Sequence, residues 1–418
     1  MSEFVQRRER LFDTLKENSC VVVFAGSAKT ANADEMLPFK VNSNFFYLTN
    51  FCQENSVLMM INGLGENKTY LFIEDYDETK EKWTGKRASI DEAIRISEIN
   101  SVLPLSNFES MLSLALTNSN NQYGHIKNLY LDLTEEQKIK PNFFMSDFQN
   151  YISMEYPHLQ IENVFPNIRD LRMIKTKYEV EQIMQAIAAT NSGINYILNK
   201  MHPGLKEYSL SDEFSYYGNY HEHRELTFDT IVAGGKNAII LHYPQQLENI
   251  QENDTVLFDL GFKHNGYCAD ISRTYPVSGH FTEIQKQIYE AVLNTNKAVI
   301  EFIKPGLTLK DLNEFAKECL KKECVERKLI KNSDDITKYY YHNVSHHLGI
   351  DCHDISNREK PLENGNVITV EPGLYFKEFF CGVRIEDDVL IEDGRAVVLS
   401  NIISKEIKDV ERLLTRGK

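Results

Sequence analysis

The stretch VLFDLGFKHNGYCADIS, residues 256–272, constrains the fold more tightly than any other in the chain. Val256, Leu257 and Phe258 favour a strand, Asn265-Gly266 favours a two-residue turn, and a second strand is expected from Tyr267. Each arm of this hairpin carries an aspartate, Asp259 or Asp270, among apolar neighbours. With Asn265-Gly266 as the loop, Asp270 stands opposite Gly261, two residues from Asp259, and both carboxylates leave one face of the ribbon. With the loop slipped back by one residue the two are directly opposite, still on one face. Like charges so placed repel unless something positive lies between them.

Further stretches put polar groups where an apolar element is expected. They are ILHYPQ (His242), YYYHNVSHHLGIDCHD (His342, His346, His347, His353), VITVEPGLYF (Glu371) and GVRIEDDVLI (Arg384, Glu386). Singly, each has an ordinary explanation. A glutamate at a strand end is solvated, a histidine is a core or surface residue, and HNVSH can be one exposed helix face. Asp387, Asp388 and His347 are placed in this ordinary class. Together, Asp259, Asp270, Glu371, Glu386 and a histidine in one half of the chain need a shared explanation. Buried unpaired carboxylates are too costly to keep, and a cation neutralises them. Four carboxylates and an imidazole suit Mn²⁺, Co²⁺ or Fe²⁺ better than a closed tetrahedral zinc site. Asp259, Asp270 and Glu386 can bridge or chelate, which predicts two metals about 3.5–4 Å apart.

The 418 residues are enough for two or three domains. Up to residue 168, strands (CVVVFAG, SVLMMI, KTYLFIED, NLYLDL) alternate with helices (DEAIRISEI, NFESMLSLAL), predicting an α/β domain with a mixed sheet. No phosphate loop occurs there, and GLGENK lacks the third glycine of the dinucleotide fingerprint. From residue 169 to 418 the pattern changes. A TxxE capping box at Thr176–Glu179 opens a long helix with Ile183, Ile187, Ile194 and Leu198 on its apolar face, and HPGL (202–205) stops it. A second helix, from about Glu283 through Ile288, Val292, Val299 and Ile303, stops at KPGL (304–307), and KDLNEFAKECLKKECVERK follows as another. This recurrence suggests an internal duplication, although Pro-Gly stops are common in their own right.

A formal net charge of -15 argues against nucleic acid or an anionic membrane as partner. No apolar run approaches the length of a membrane span, and MSEFVQRRERLF reads as a charged helix start rather than a signal peptide. Seven cysteines without a CxxC pair read as reduced thiols in a cytoplasmic protein. Cys352 beside His353 is read the same way and not as a nucleophile pair, because sequence neighbours on a strand point apart.

The motifs ILHY, LFDLGFKHNGYCADISRTYP, HNVSHHLGIDCHD, TVEPGLY and GVRIEDD make the C-terminal half resemble the pita-bread metallopeptidases. Nearly the whole chain resembles their aminopeptidase P family, the Xaa-Pro aminopeptidases. GSAKTANADEMLPFKVNSNFFYLTNF carries the likeness in the N-terminal half and favours that family over its dipeptide-cleaving relative, prolidase. The resemblance implies a creatinase/aminopeptidase P-like domain at 1–168 and a catalytic pita-bread domain with duplicated halves at 169–418. It puts the metal ligands on Asp259, Asp270, His346, Glu371 and Glu386, for two divalent ions, Mn²⁺ first and Co²⁺, Fe²⁺ or Zn²⁺ as alternatives. It puts substrate or transition-state histidines on His242, His342 and His353, and orienting residues on Tyr375 and Arg384. Glu371 is the expected proton shuttle. The implied substrates are peptides with an N-terminal Xaa-Pro, and the implied assembly is a homodimer in which loop 30–39, with Asp34 or Glu35, reaches the neighbouring site. Prolidase is the alternative reading, and a non-enzymatic pita-bread binding module a remote one, disfavoured because all five ligands are present. The departures are Asn343, His347, Ile355-Ser356 and a short segment between Tyr375 and Arg384. They touch the pocket rim, where substrate preference is set.

Overall fold

The charged opening forms the expected helix, Glu3–Thr14, and Ser2 caps it by accepting from the Val5 N–H. The computed structural model describes residues 2–33, 35–117, 121–134, 137–140, 143–223 and 225–415. The chain divides into two compact units, Met1–Arg172 and Met173–Lys418.

The first unit is built on a six-stranded mixed sheet. Its spatial order is Gln160–Asn163, Asn128–Leu131, Ser19–Phe24, Val57–Gly63, Glu66–Ile73 and Ser101–Pro104. The two central pairings are antiparallel and the outer ones parallel. Ser19–Phe24 is buried along its whole length, which is why its sequence is a continuous apolar run rather than an alternating one. The expected helices are Ile90–Ser97 and Phe108–Leu116, and the second packs Phe108, Leu112 and Leu116 onto the sheet core.

In the second unit the helix–stop–helix pattern occurs twice. Lys177–Leu198 is followed by Glu207–Tyr220, and Glu283–Phe302 by Leu309–Glu326. Thr176 with Glu179 and Thr282 with Gln285 form matching capping boxes. The two Pro-Gly-Leu stops are hydrogen-bonded alike. Gly204 and Gly306 take φ of 87° and 94°, which only glycine adopts freely. Their N–H groups donate to Ile250 O and Leu362 O, and the N–H groups of Ile250 and Leu362 donate back to Leu205 O and Leu307 O. A common stop signal does not require the same two-bond clasp to a distant strand approach, so this matching supports the duplication. Each helix pair accompanies a three-stranded antiparallel sheet: Ile231–Gly234, Thr255–Leu260 and Ile271–Pro276 in one half, and Val367–Val370, Asp387–Glu392 and Arg395–Val398 in the other.

Among the described residues, no helix is long and apolar enough to cross a membrane. The loop at 30–39 forms a small hairpin of exposed strands, Thr30–Asn32 and Glu35–Met36. Asp34 lies outside the described residues.

Candidate metal centre

The hairpin at 256–272 forms with Asn265-Gly266 as its two-residue loop, at φ of 47° and 81°, the positive pair that a type I′ turn needs. Lys263 pairs with Cys268 and Leu260 with Ile271, which puts Asp270 opposite Gly261. A side chain on Gly261 would come within 1.9 Å of Ala269 O, so glycine is required for the two arms to close there. Asp259 itself pairs with Ser272, two residues from Asp270 and on the same face.

The second half of the unit brings the other groups. Glu371 follows strand Val367–Val370 and is tied by its N–H to Val344 O at 2.9 Å. The segment 341–349, expected as an exposed helix face in one reading, is not helical. Its extended course delivers both His342 and His346 to the centre, and the His346 N–H donates to Thr369 Oγ1 at 3.1 Å. Glu386 joins strands Cys381–Arg384 and Asp387–Glu392, and its N–H donates to Ser272 O at 3.0 Å.

One donor atom each from Asp270, His346 and Glu386 lies within 4.8 Å of the other two. His346 Nε2 is 3.4 Å from Asp270 Oδ2 and 3.6 Å from Glu371 Oε1. Arg384 Nη2 donates to Asp259 Oδ2 at 2.6 Å, whereas Asp259 Oδ1 is buried without a hydrogen-bond partner among the described residues. Burial raises the Asp259, Glu371 and Glu386 pKa values, and the neighbouring carboxylates add to it. Burial opposes charge on His346, but its hydrogen bond to Asp270 and the nearby carboxylates push it up to about 9. The protein groups alone thus leave negative charge uncompensated and one buried carboxylate oxygen unpaired. An oxygen-rich donor set with this deficit fits divalent cations.

Around these donors runs a hydrogen-bonded chain. Arg384 Nε donates to Ser272 Oγ at 2.7 Å, and the Ser272 hydroxyl donates to Glu386 Oε2 at 2.7 Å. Arg384 Nη1 donates to Tyr375 Oη at 3.1 Å, and Tyr375 Oη is 2.8 Å from His342 Nε2. His342 Nδ1 faces Asn343 O at 2.8 Å. Burial first, then the Arg384 charge, lower the His342 pKa to about 4, so its ring is neutral and accepts a hydrogen bond from the Tyr375 hydroxyl at Nε2. The His353 ring lies 4.2 Å from that of His346. His242 is exposed and lies near His342 and His353.

Two groups read as ordinary are otherwise. Asp387 and Asp388 are not solvated; both are fully buried. Asp387 pairs with Arg273 and Lys405 at 2.8 and 2.6 Å, and Asp388 Oδ2 accepts from the Asp270 N–H at 3.2 Å. Both faces of their strand are covered, so alternation does not apply. His347 is a core residue as expected, 2 % exposed, with Nδ1 buried and without a hydrogen-bond partner among the described residues. Two contributors were missed. Ser272 could have been found from its position across from Asp259. Cys352 Sγ lies 2.9 Å from Asp270 Oδ2 as a protonated thiol, its pKa raised by burial and by Asp270, and nothing in its spacing signals that.

Fold and site together define a metallopeptidase. The sequence model of metallopeptidase family M24 matches residues 181–393, and that of the aminopeptidase P N-terminal domain matches residues 4–123. An Xaa-Pro aminopeptidase of Haemophilus influenzae is 30 % identical, with 99 % of this chain and 97 % of that protein covered. A Bacillus anthracis structure provisionally assigned as an aminopeptidase P is 41 % identical over 100 % of this chain and 98 % of that one, with a TM-score of 0.94. The Escherichia coli aminopeptidase P structure with the inhibitor Pro-Leu is 27 % identical over 100 % and 99 % of the two chains, at a TM-score of 0.90. The chain belongs to the aminopeptidase P family of M24 metallopeptidases, whose chemistry depends on divalent metal ions.

Proposed function

We propose that this chain, as an Xaa-Pro aminopeptidase, releases the first residue from peptides whose second residue is proline, and that Asp259, Asp270, His346, Glu371 and Glu386 hold two divalent cations for the reaction. Mn²⁺ is the first choice, with Co²⁺, Fe²⁺ and Zn²⁺ as alternatives, because the donors are mainly oxygens. The observation that carries the reading is the buried, unpartnered Oδ1 of Asp259 beside the clustered donors of Asp270, His346 and Glu386. Bound there, the cations supply Lewis acidity and a water acidic enough to attack the scissile carbonyl at neutral pH.

The protein groups handle protons and position. Glu371 stands between the two kinds of groups, with Oε1 3.6 Å from His346 and Oε2 3.7 Å from His342. It takes the proton of the attacking water at one oxygen and delivers it to the leaving nitrogen. That nitrogen is proline's, part of a tertiary amide with no N–H, so the ring rather than a hydrogen bond must be recognised. His342, held neutral and fixed through Tyr375 and Arg384, borders the ring. His242 or His353 flanks the scissile carbonyl and donates to its developing negative charge.

The assembly proposed is a homodimer, with the exposed hairpin at 30–39 near the partner's entrance. Seven cysteines without a CxxC pair support a reducing compartment such as the cytoplasm. Assay of a tripeptide Xaa-Pro-Yaa against the dipeptide Xaa-Pro, with Mn²⁺ added, tests the reading. Cleavage of the tripeptide with release of free Xaa is expected. Cleavage of the dipeptide alone means prolidase instead.

A further inference from the structure

An apolar rim lies beside the groups that hold His342. Ile240, Tyr341, Phe379 and Phe380 are 46, 46, 40 and 62 % exposed. Scattered exposed apolar residues are ordinary, but these come from three segments in mutual contact. The Tyr341 hydroxyl donates to Ile239 O, and the turn Gly235–Ile239 packs against Lys377–Phe379. It also packs on strand Cys381–Arg384 so closely that a side chain on Gly382 would come within 2.0 Å of Ala238 O.

The rim is continuous with the site. The Tyr341 ring is 5.1 Å from that of Tyr375, the residue that holds His342. On the other side, Tyr339 stacks on Phe376 at 4.3 Å, and Phe376 lies 5.6 Å from Phe379. The turn that carries the outer rings is short, because Phe376 already pairs with Cys381. Within it Phe380 takes φ of 47°, a left-handed conformation that disfavours a bulky side chain and suits glycine or asparagine. A large ring held outward at such a position points to a use for the ring.

We propose that Ile240, Tyr341, Phe379 and Phe380 form a subsite for an apolar or aromatic side chain on the residue after proline. The inference rests on the reading of the chain as an Xaa-Pro aminopeptidase with proline beside His342. In that pose the scissile bond faces the metal donors, and the peptide beyond proline leaves past Tyr375 and Tyr341. An extended chain advances about 3.3 Å per residue, so the third residue is the first to reach the rim.

The test is kcat/KM for metal-loaded enzyme on Xaa-Pro-Phe, Xaa-Pro-Gly and Xaa-Pro-Asp, with wild type, Phe380→Asn and Phe380→Trp. Asparagine suits the left-handed turn, so misfolding does not explain its effect, and metal content is measured alongside. Wild type is expected to favour Phe over Gly by ~10-fold, mainly through KM, as for burial of an aromatic side chain on a partly formed surface. Phe380→Asn should bring that ratio close to one and Phe380→Trp should keep it. Equal kcat/KM across the series in wild type, or an unchanged Phe/Gly ratio in Phe380→Asn, overturns the subsite and leaves the activity standing. A change of mass in light scattering for Phe380→Asn, with the ratio unchanged, means that a second copy covers the rim and overturns it too. Failure of wild type to cleave any of the three peptides overturns the activity on which the inference rests.

Discussion

Arg384 holds one oxygen of Asp259 at 2.6 Å and leaves the other buried with no hydrogen-bond partner among the described residues. The same guanidinium reaches Ser272 and Tyr375, and through them Glu386 and His342. A single buried cation therefore sets the orientation of two proposed metal ligands and of the histidine that borders the substrate ring.

Arg384→Met removes that common anchor while keeping an apolar stem. Metal affinity should fall about 10–100-fold, the usual cost of losing a group that orients ligands, and kcat/KM should fall by more, because His342 loses its support as well. Metal titration followed by assay at saturating metal separates the two effects. Wild-type affinity and wild-type kcat/KM together would show that the network is ornamental.

Glu371→Gln keeps the shape of the side chain and removes its capacity to carry a proton. A loss of at least ~10²-fold in kcat is expected. Bound metal must be measured in the variant, since Glu371 is also a proposed ligand. A full metal complement with near-wild-type kcat rules out the shuttle role.

His347 follows a proposed ligand but points into the core, with Nδ1 buried and unpartnered. A buried polar atom left unpaired costs about 1–3 kcal/mol, so His347→Phe should raise Tm and leave activity per metal-loaded enzyme within a few-fold of wild type. His347→Ala should lower Tm by opening a cavity. A large loss of kcat in the phenylalanine variant would mean that the imidazole has a role in the site.

Much of this is legible in the sequence. Asn265-Gly266 specified the turn, the turn specified the register, and the register set Asp270 opposite Gly261. Thr176 with Glu179 marked the start of the long helix as written. These are local rules with a short reach. What failed depended on distant chain. Asp387 and Asp388 look solvated from their composition, yet Arg273, Lys405 and the Asp270 N–H, all more than fifteen residues away, take them into the interior. Cys352 looked inert and is indeed a protonated thiol, but only the folded chain shows that it lies against Asp270.

The hairpin at 30–39 offers Glu35, Met36 and Leu37 at the surface. Deleting residues 31–36 should change kcat/KM for longer Xaa-Pro peptides far more than it changes metal content, and should weaken the proposed homodimer. A strictly monomeric wild-type protein in light scattering, with activity unchanged by the deletion, excludes that role for the hairpin.

The central claim is that the clustered carboxylates and His346 exist to hold divalent cations that the peptidase reaction requires. The most direct test is to strip the protein of metal, confirm the loss by elemental analysis, and follow hydrolysis of an Xaa-Pro-Yaa tripeptide as Mn²⁺ or Co²⁺ is returned. The account predicts no activity in the stripped enzyme, and recovery as two ions per chain are bound. Full activity with no detectable metal would contradict it.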